Sequence, residues 1–170
     1  LLPMECRRMR FVYKDEAYGL GGEQAESAVV PTEVVVVEDD EASQQFVSRV
    51  LAGAGVCVDL VTSGEAACLA VSSREYDLVL MDVHMPRMDG YDAAATIRAH
   101  EAGTGRHVPI VALTAAVVAG ERERCQRAGM DDLLVKPVSL ADLAQALEPY
   151  IGERRSAPRD AVGAADADTA

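Results

Sequence analysis

The chain has 170 residues, 49% of them hydrophobic, with a formal net charge of -12 and an isoelectric point near 4.6. That length holds one domain of ordinary size with tails and a real core, and the acidity argues against direct binding of nucleic acid or of an anionic membrane. Polar residues interrupt every apolar run well before the roughly 20 positions of a membrane span. Cys6, Cys57, Cys68 and Cys125 show neither CxxC spacing nor neighbouring histidines, which favours reduced thiols in the cytoplasm over a zinc site or a disulfide framework.

Residues 1–31 mix charges, Gly19, Gly21, Gly22 and scattered apolar side chains without periodicity, and are read as a linker or the remnant of a preceding domain, with no fold assigned. The start at Leu1 lacks the order of a signal peptide, so the chain is taken as cut from something longer. From 32 to 151 apolar runs alternate with helical patterns. The runs VVVV, VCVDLV, DLVLM, VPIVAL and DLLV predict five strands, and the segments 41–51, 65–71, 91–102, 119–128 and 140–150 predict five helices. Alternation of this kind makes βα units, and runs of Val, Ile and Leu suit strands buried on both faces of a parallel sheet. The fold class is therefore α/β. Phe46, Val47, Val50 and Leu51 are expected to form the buried stripe of the first helix, and Leu140, Leu143, Ala144 and Leu147 that of the last. Ser139 is expected to cap that last helix, with Asp142 in the capping-box position. Ala, Asp, Arg and Pro dominate 152–170, which predicts a disordered tail.

Polar residues stand just past four of the runs: Glu38, Asp39 and Asp40 after the first, Asp82 after the third, Thr114 after the fourth and Lys136 after the fifth. In an open α/β sheet such positions converge, because ligands sit outside the carboxyl ends of the strands. Three carboxylates in one place repel each other unless a cation joins them, and an all-oxygen ligand set suits Mg²⁺. Asp82 can act as a nucleophile toward phosphorus once a cation offsets the charge of both reactants; read alone, it is an aspartate ending a turn. Side chains of Glu38 and Asp39 diverge along a strand, so one of the two is expected to bind the metal directly. Asp40 or a neighbour caps the first helix. Lys136, held extended by Pro137, aims an ammonium at the same rim. Thr114 offers a hydroxyl to a phosphoryl oxygen, and Ala115 and Ala116 leave room for a bulky donor. The bland alternatives are a snorkelling surface lysine and a β-branched strand end.

The motifs MDVHMPRMDG, VVVVEDDE, ALTA and VKP, spread over 33–150, resemble the receiver domains of two-component response regulators. The resemblance implies a flavodoxin-like sheet of strand order 2-1-3-4-5 with helices on both faces. It also implies that Asp82 is the phosphoacceptor, Thr114 the switch threonine and Lys136 the catalytic lysine. The implied Mg²⁺ site takes Asp39 and Asp82 as direct ligands, Glu38 through water and the backbone carbonyl of His84. Partners would be a histidine kinase or a histidine phosphotransfer domain, with a homodimer through the fourth helix, fifth strand and fifth helix. The phosphoacceptor loop is worded most like receivers of hybrid histidine kinases, whose parent protein can be membrane-anchored while the receiver stays cytoplasmic. One departure stands out: Leu133 occupies the position, three before Lys136, where the family commonly carries an aromatic ring. Rotation of a ring into the space left by the threonine is replaced at most by modest repacking. His84, two after Asp82, lies where the family tunes phosphoryl lifetime, and its imidazole is expected to make hydrolysis pH-dependent near neutrality.

Two rival readings meet these residues. A haloacid-dehalogenase-type phosphatase also pairs an aspartate nucleophile with threonine, lysine and acidic metal ligands, but it places a second Asp where this chain has His84, and its acidic pair comes last. A pseudo-receiver that binds partners without phosphorylation is kept open by Leu133 alone.

Overall fold

The structure, a computed structural model, describes residues 7–9, 32–53, 56–116 and 118–152. In chain order the elements are β1 (Arg7–Met9), β2 (Glu33–Val37), α1 (Glu41–Gly53), β3 (Cys57–Val61), α2 (Gly64–Ser73), β4 (Leu78–Asp82), α3 (Gly90–Glu101), β5 (Ile110–Thr114), α4 (Glu121–Arg127), β6 (Asp132–Val135) and α5 (Leu140–Gly152). The sheet runs β1-β3-β2-β4-β5-β6. Strands β2 to β6 are parallel to one another, and counted among themselves they give the expected order 2-1-3-4-5.

The strand β1 falls within 1–31, the segment whose sequence predicts no element: Arg7–Met9 pairs antiparallel with β3, Arg7 opposite Leu60 and Met9 opposite Val58. Three residues carry no readable alternation, and an edge strand is recruited by the open edge it meets. The rest of the expected linker and the expected tail from 153 onward lie outside the described residues.

The central strand shows how the layers are built. Val34, Val35, Val36 and Val37 are all 0% exposed, but the two-residue period of a strand sends them to opposite faces. Val34 and Val36 pack with Val47 and Leu51 of α1 and Leu143 of α5. Val35 and Val37 pack into the cluster holding Ala67 and Ala70 of α2, Ala94 and Ile97 of α3, and Cys125 of α4. One face thus carries α1 and α5, the other α2, α3 and α4.

Two helix stripes differ from expectation. On α1, Val47 and Leu51 are buried while Phe46 is 50% exposed; at 3.6 residues per turn Phe46 lies about 120° from the midpoint of those two. On α5 the buried positions are Leu143 and Ala146, with Tyr150 packed beside them. Leu140 (63% exposed) and Ala144 fall outside that stripe, and the side chain of Leu147 is not among those described. The expected caps are in place. Asp40 Oδ1 accepts from the Ser43 amide at 2.8 Å, and Ser139 and Asp142 cap each other reciprocally, Ser139 N–H to Asp142 Oδ2 at 2.9 Å and Asp142 N–H to Ser139 Oγ at 3.1 Å.

Candidate functional site

The chain leaves β2 for β3 on one side of the sheet and crosses to β4 on the other. That reversal opens a crevice beyond the carboxyl ends of the strands. Val37 pairs with Met81, so the residues that follow them, Glu38 and Asp82, emerge side by side. Asp82 pairs with Leu113 and Thr114 with Val135, which brings Thr114 and Lys136 to the same rim. The rim is fixed by backbone bonds: Glu38 N–H to Val61 O at 3.1 Å, Val83 N–H to Leu113 O at 3.1 Å and Lys136 N–H to Thr114 O at 2.7 Å. The Lys136–Pro137 peptide bond is cis.

Lys136 joins the two carboxylates. Its Nζ donates to Glu38 Oε2 at 2.5 Å and to Asp82 Oδ2 at 2.6 Å. The other oxygen of Asp82 accepts from the His84 amide at 2.8 Å. Glu38 is 1% exposed and Asp82 6%. Burial raises the Glu38 carboxyl from its ordinary 4.5 to about 7; the bond from Lys136 opposes that rise, and the charge of Asp82 adds to it. Burial also works against the Lys136 ammonium, but its bonds to Asp82 and Glu38 prevail and hold its pKa above the usual lysine value.

Glu38, Asp39 and Asp82 each offer a carboxylate oxygen, and the three lie within 4.8 Å of one another. Lys136 supplies one positive charge to these three acids, so the cluster is short of cationic charge, and an all-oxygen donor set could hold Mg²⁺. Asp39 is exposed and gives the cluster an open side. The side chain of His84 is exposed and stands outside that group of ligands. Thr114 is 0% exposed, and its hydroxyl donates to Ala116 O at 3.1 Å. Ala115 and Ala116 are exposed, leaving the mouth clear.

The loop that follows Asp82 leaves no spare room. A Cβ on Gly90 would lie 2.3 Å from the Asp82 carbonyl oxygen and 2.8 Å from Val83 Cα, so only glycine lets α3 start so close to the acid. Leu133 is 8% exposed and packs in the cluster that holds Cys125 and Met130. Two buried polar residues beside the site received no role from the sequence: the hydroxyl of Tyr91, 7% exposed, donates to Glu121, 6% exposed. A glutamate in the charged run ERER reads as solvated, and only the tertiary contact distinguishes it.

Comparison with known proteins places this geometry. The family described as response regulator receiver domain matches residues 34–148. Sensor protein GacS of Pseudomonas syringae pv. syringae is 44% identical over 120 residues, covering 70% of this chain and 13% of the relative. The receiver domain of sensor histidine kinase PA1611 from Pseudomonas aeruginosa PAO1, solved with magnesium in its active site cleft, superposes with a TM-score of 0.66 at 41% identity. That match covers 72% of this chain and 99% of the solved one. The receiver domain of Ssk1, solved with the histidine phosphotransfer protein Ypd1 of Saccharomyces cerevisiae, gives 0.67 at 26% identity, covering 76% and 94%. The chain spans only a small part of the full-length sensor kinases it matches. With its parallel sheet in the order 2-1-3-4-5, its acidic rim and its family match over two thirds of its length, the chain belongs to the response regulator receiver domains of two-component signalling.

Proposed function

We propose that this domain accepts a phosphoryl group on Asp82 from a phosphohistidine, presented by a histidine kinase or a histidine phosphotransfer domain, and that it forms part of a hybrid histidine kinase. The carrying observation is the bridge of Lys136 between Glu38 and Asp82, because it gathers a nucleophile, a cation and an acidic metal cluster from three strands. The solved complex of Ssk1 with Ypd1 supports the partner class, and the sensor kinase relatives support the parent. The reading puts the domain on the cytoplasmic side, and its three described free cysteines, all buried, agree with that.

Asp82 contributes a carboxylate oxygen that forms a bond to phosphorus as the phosphorus–nitrogen bond breaks, and the departing imidazole keeps its electron pair and takes up a proton. Glu38, Asp39 and Asp82, with the His84 carbonyl, would hold Mg²⁺, which when bound supplies charge neutralisation for the phosphoryl oxygens. Lys136, released from Asp82 Oδ2, follows the negative charge onto the phosphoryl group. The Thr114 hydroxyl turns from Ala116 O to donate to the same group. Water later attacks phosphorus and returns Asp82 to a carboxylate.

The surface also supports an approach for the donor. A cavity of about 290 Å³, lined by Phe46, Val47, Leu113, Pro137 and Val138, opens beside Glu38 and Lys136. Half-exposed Phe46 makes this an apolar seat for a partner helix next to the acceptor. Val118, Val135 and Leu140 are exposed on or beside α4, β6 and α5, the elements expected to carry a phosphorylation-dependent homodimer.

The test is intact-mass spectrometry after incubation with Mg²⁺ and acetyl phosphate or phosphoramidate. Wild type should gain one phosphoryl group that is labile to hydroxylamine, and Asp82→Asn should gain none. A folded wild type that binds Mg²⁺ but forms no adduct would make the domain a pseudo-receiver.

A further inference from the structure

Two loops carry the site, one finishing at the start of α3 and the other at the first turn of α4, and the two helix starts are joined to each other. The loop that begins at Asp82 ends at Gly90, which is packed against the Asp82 carbonyl so closely that no side chain fits between them. Tyr91 follows directly, and its hydroxyl donates to the Glu121 carboxylate. The loop that begins at Thr114 runs to Val118, whose carbonyl accepts from the Glu121 amide at 3.0 Å. Glu121 is therefore tied by its side chain to the loop of Asp82 and by its backbone to the loop of Thr114. Arg124, on the same face one turn later, lies over the Tyr91 ring at 4.0 Å and reaches toward Asp89 at 3.8 Å.

We infer that the Tyr91–Glu121 hydrogen bond is a latch, which holds α4 in its unphosphorylated position and opposes the inward movement of Thr114. The inference rests on the phosphoacceptor reading above. When the Thr114 hydroxyl leaves Ala116 O for a phosphoryl oxygen, the loop after β5 is drawn toward Asp82 and pulls on Val118 and the amide of Glu121. Tyr91 does not follow, because Gly90 is fixed against the Asp82 backbone. The two attachments of Glu121 then pull apart. A buried carboxylate stripped of its partner is costly, so the bond resists the change until phosphorylation outweighs it. The phenol stays a donor throughout, since burial and the Glu121 bond raise its pKa far above the usual tyrosine value. With Leu133 in the strand position where a ring was expected, the ring that meets α4 is Tyr91, at the start of α3.

A contact that favours one state lowers the affinity of any ligand selective for the other. Beryllium fluoride with Mg²⁺, a mimic of the phosphoryl group, is the probe, titrated by calorimetry into wild type, Tyr91→Phe, Glu121→Gln and the double variant. Tyr91→Phe keeps the ring beneath Arg124 and deletes only the hydroxyl. It should bind the mimic roughly three- to tenfold more tightly, and the double variant should add little to that, since the hydroxyl through which residue 121 is held is already gone. Equal or weaker binding by a folded Tyr91→Phe, whatever its Tm, would reduce the contact to packing. A measurement without variants covers misfolding: in wild type, the mimic should lower the hydrogen-exchange protection of α4 amides, and unchanged protection counts against the latch. If wild type binds no mimic at all, the phosphoacceptor reading falls first, and the latch with it.

Discussion

At Glu38 the side chain is 1% exposed, and its raised pKa has a direct consequence for stability. A carboxyl that titrates at about 7 when folded, against an ordinary 4.5, binds its proton more tightly in the native state. Between those two values this group's contribution to stability falls as pH rises. A divalent cation bound at the acidic cluster would take the place of the proton. Mg²⁺ is therefore expected to stabilise the domain more at about pH 8 than at about pH 5, and denaturant midpoints with and without Mg²⁺ check it. Asp39→Asn should shrink the Mg²⁺ effect at both. Gly90 gives a second residue-scale expectation. A methyl group there meets backbone, not a mobile side chain, so Gly90→Ala should cost about 2–3 kcal/mol in a chemical denaturation series and slow phosphorylation. An effect below about 0.5 kcal/mol would mean that the loop has slack.

Among the elements, α3 depends on one side chain at its C-terminal end. Arg98 donates from Nε to Gly129 O at 2.8 Å, from Nη1 to Glu101 at 2.6 Å and to Val108 O at 2.9 Å, and from Nη2 to Asp131 at 2.8 Å. The segments that enter β5 and β6 are joined through it. Arg98→Met keeps the apolar stem and deletes every bond, and should lower stability by about 2–4 kcal/mol, read from the denaturant midpoint at constant slope. Most of this architecture was legible in advance, because Val-rich runs and helical periods each have one physical solution at this length. All five parallel strands and five helices lie where the runs and periods put them. Glu38, Asp82, Thr114 and Lys136 likewise meet at one rim, as strand-end residues in a parallel sheet must. What the chain did not disclose depends on neighbours. Strand β1 exists through the edge of β3. The exposure of Phe46 and Leu140 follows from where each helix settles on the sheet. The burial of Glu121 follows from a tyrosine thirty positions away.

For the molecule as a whole, β1 sits at the margin of the sheet, and the described members of both hydrophobic clusters all come from residues 34–150. Removing residues 1–31 should leave cooperative unfolding with a Tm lowered by only a few degrees, or about 1 kcal/mol. The edge it uncovers, Cys57–Val61, has buried side chains throughout, and a bare strand edge invites pairing with another chain. Concentration-dependent association by size-exclusion chromatography is the expected second effect; a monomer at every concentration would mean that some other segment shields the edge. The alternation of Val34 to Val37 reaches further. The proposed donor's seat, with Phe46, Val47 and Val138, belongs to the α1 and α5 side, while Tyr91 and Cys125, with Glu121 bonded to Tyr91, lie on the other. Between the two layers stands a single thickness of strand, through which neighbouring residues point in opposite directions. If the donor docks there, changes in which donor is recognised can accumulate on one side without touching the Tyr91–Glu121 contact on the other, so a lineage that duplicates this domain is free to rewire its inputs and keep that contact.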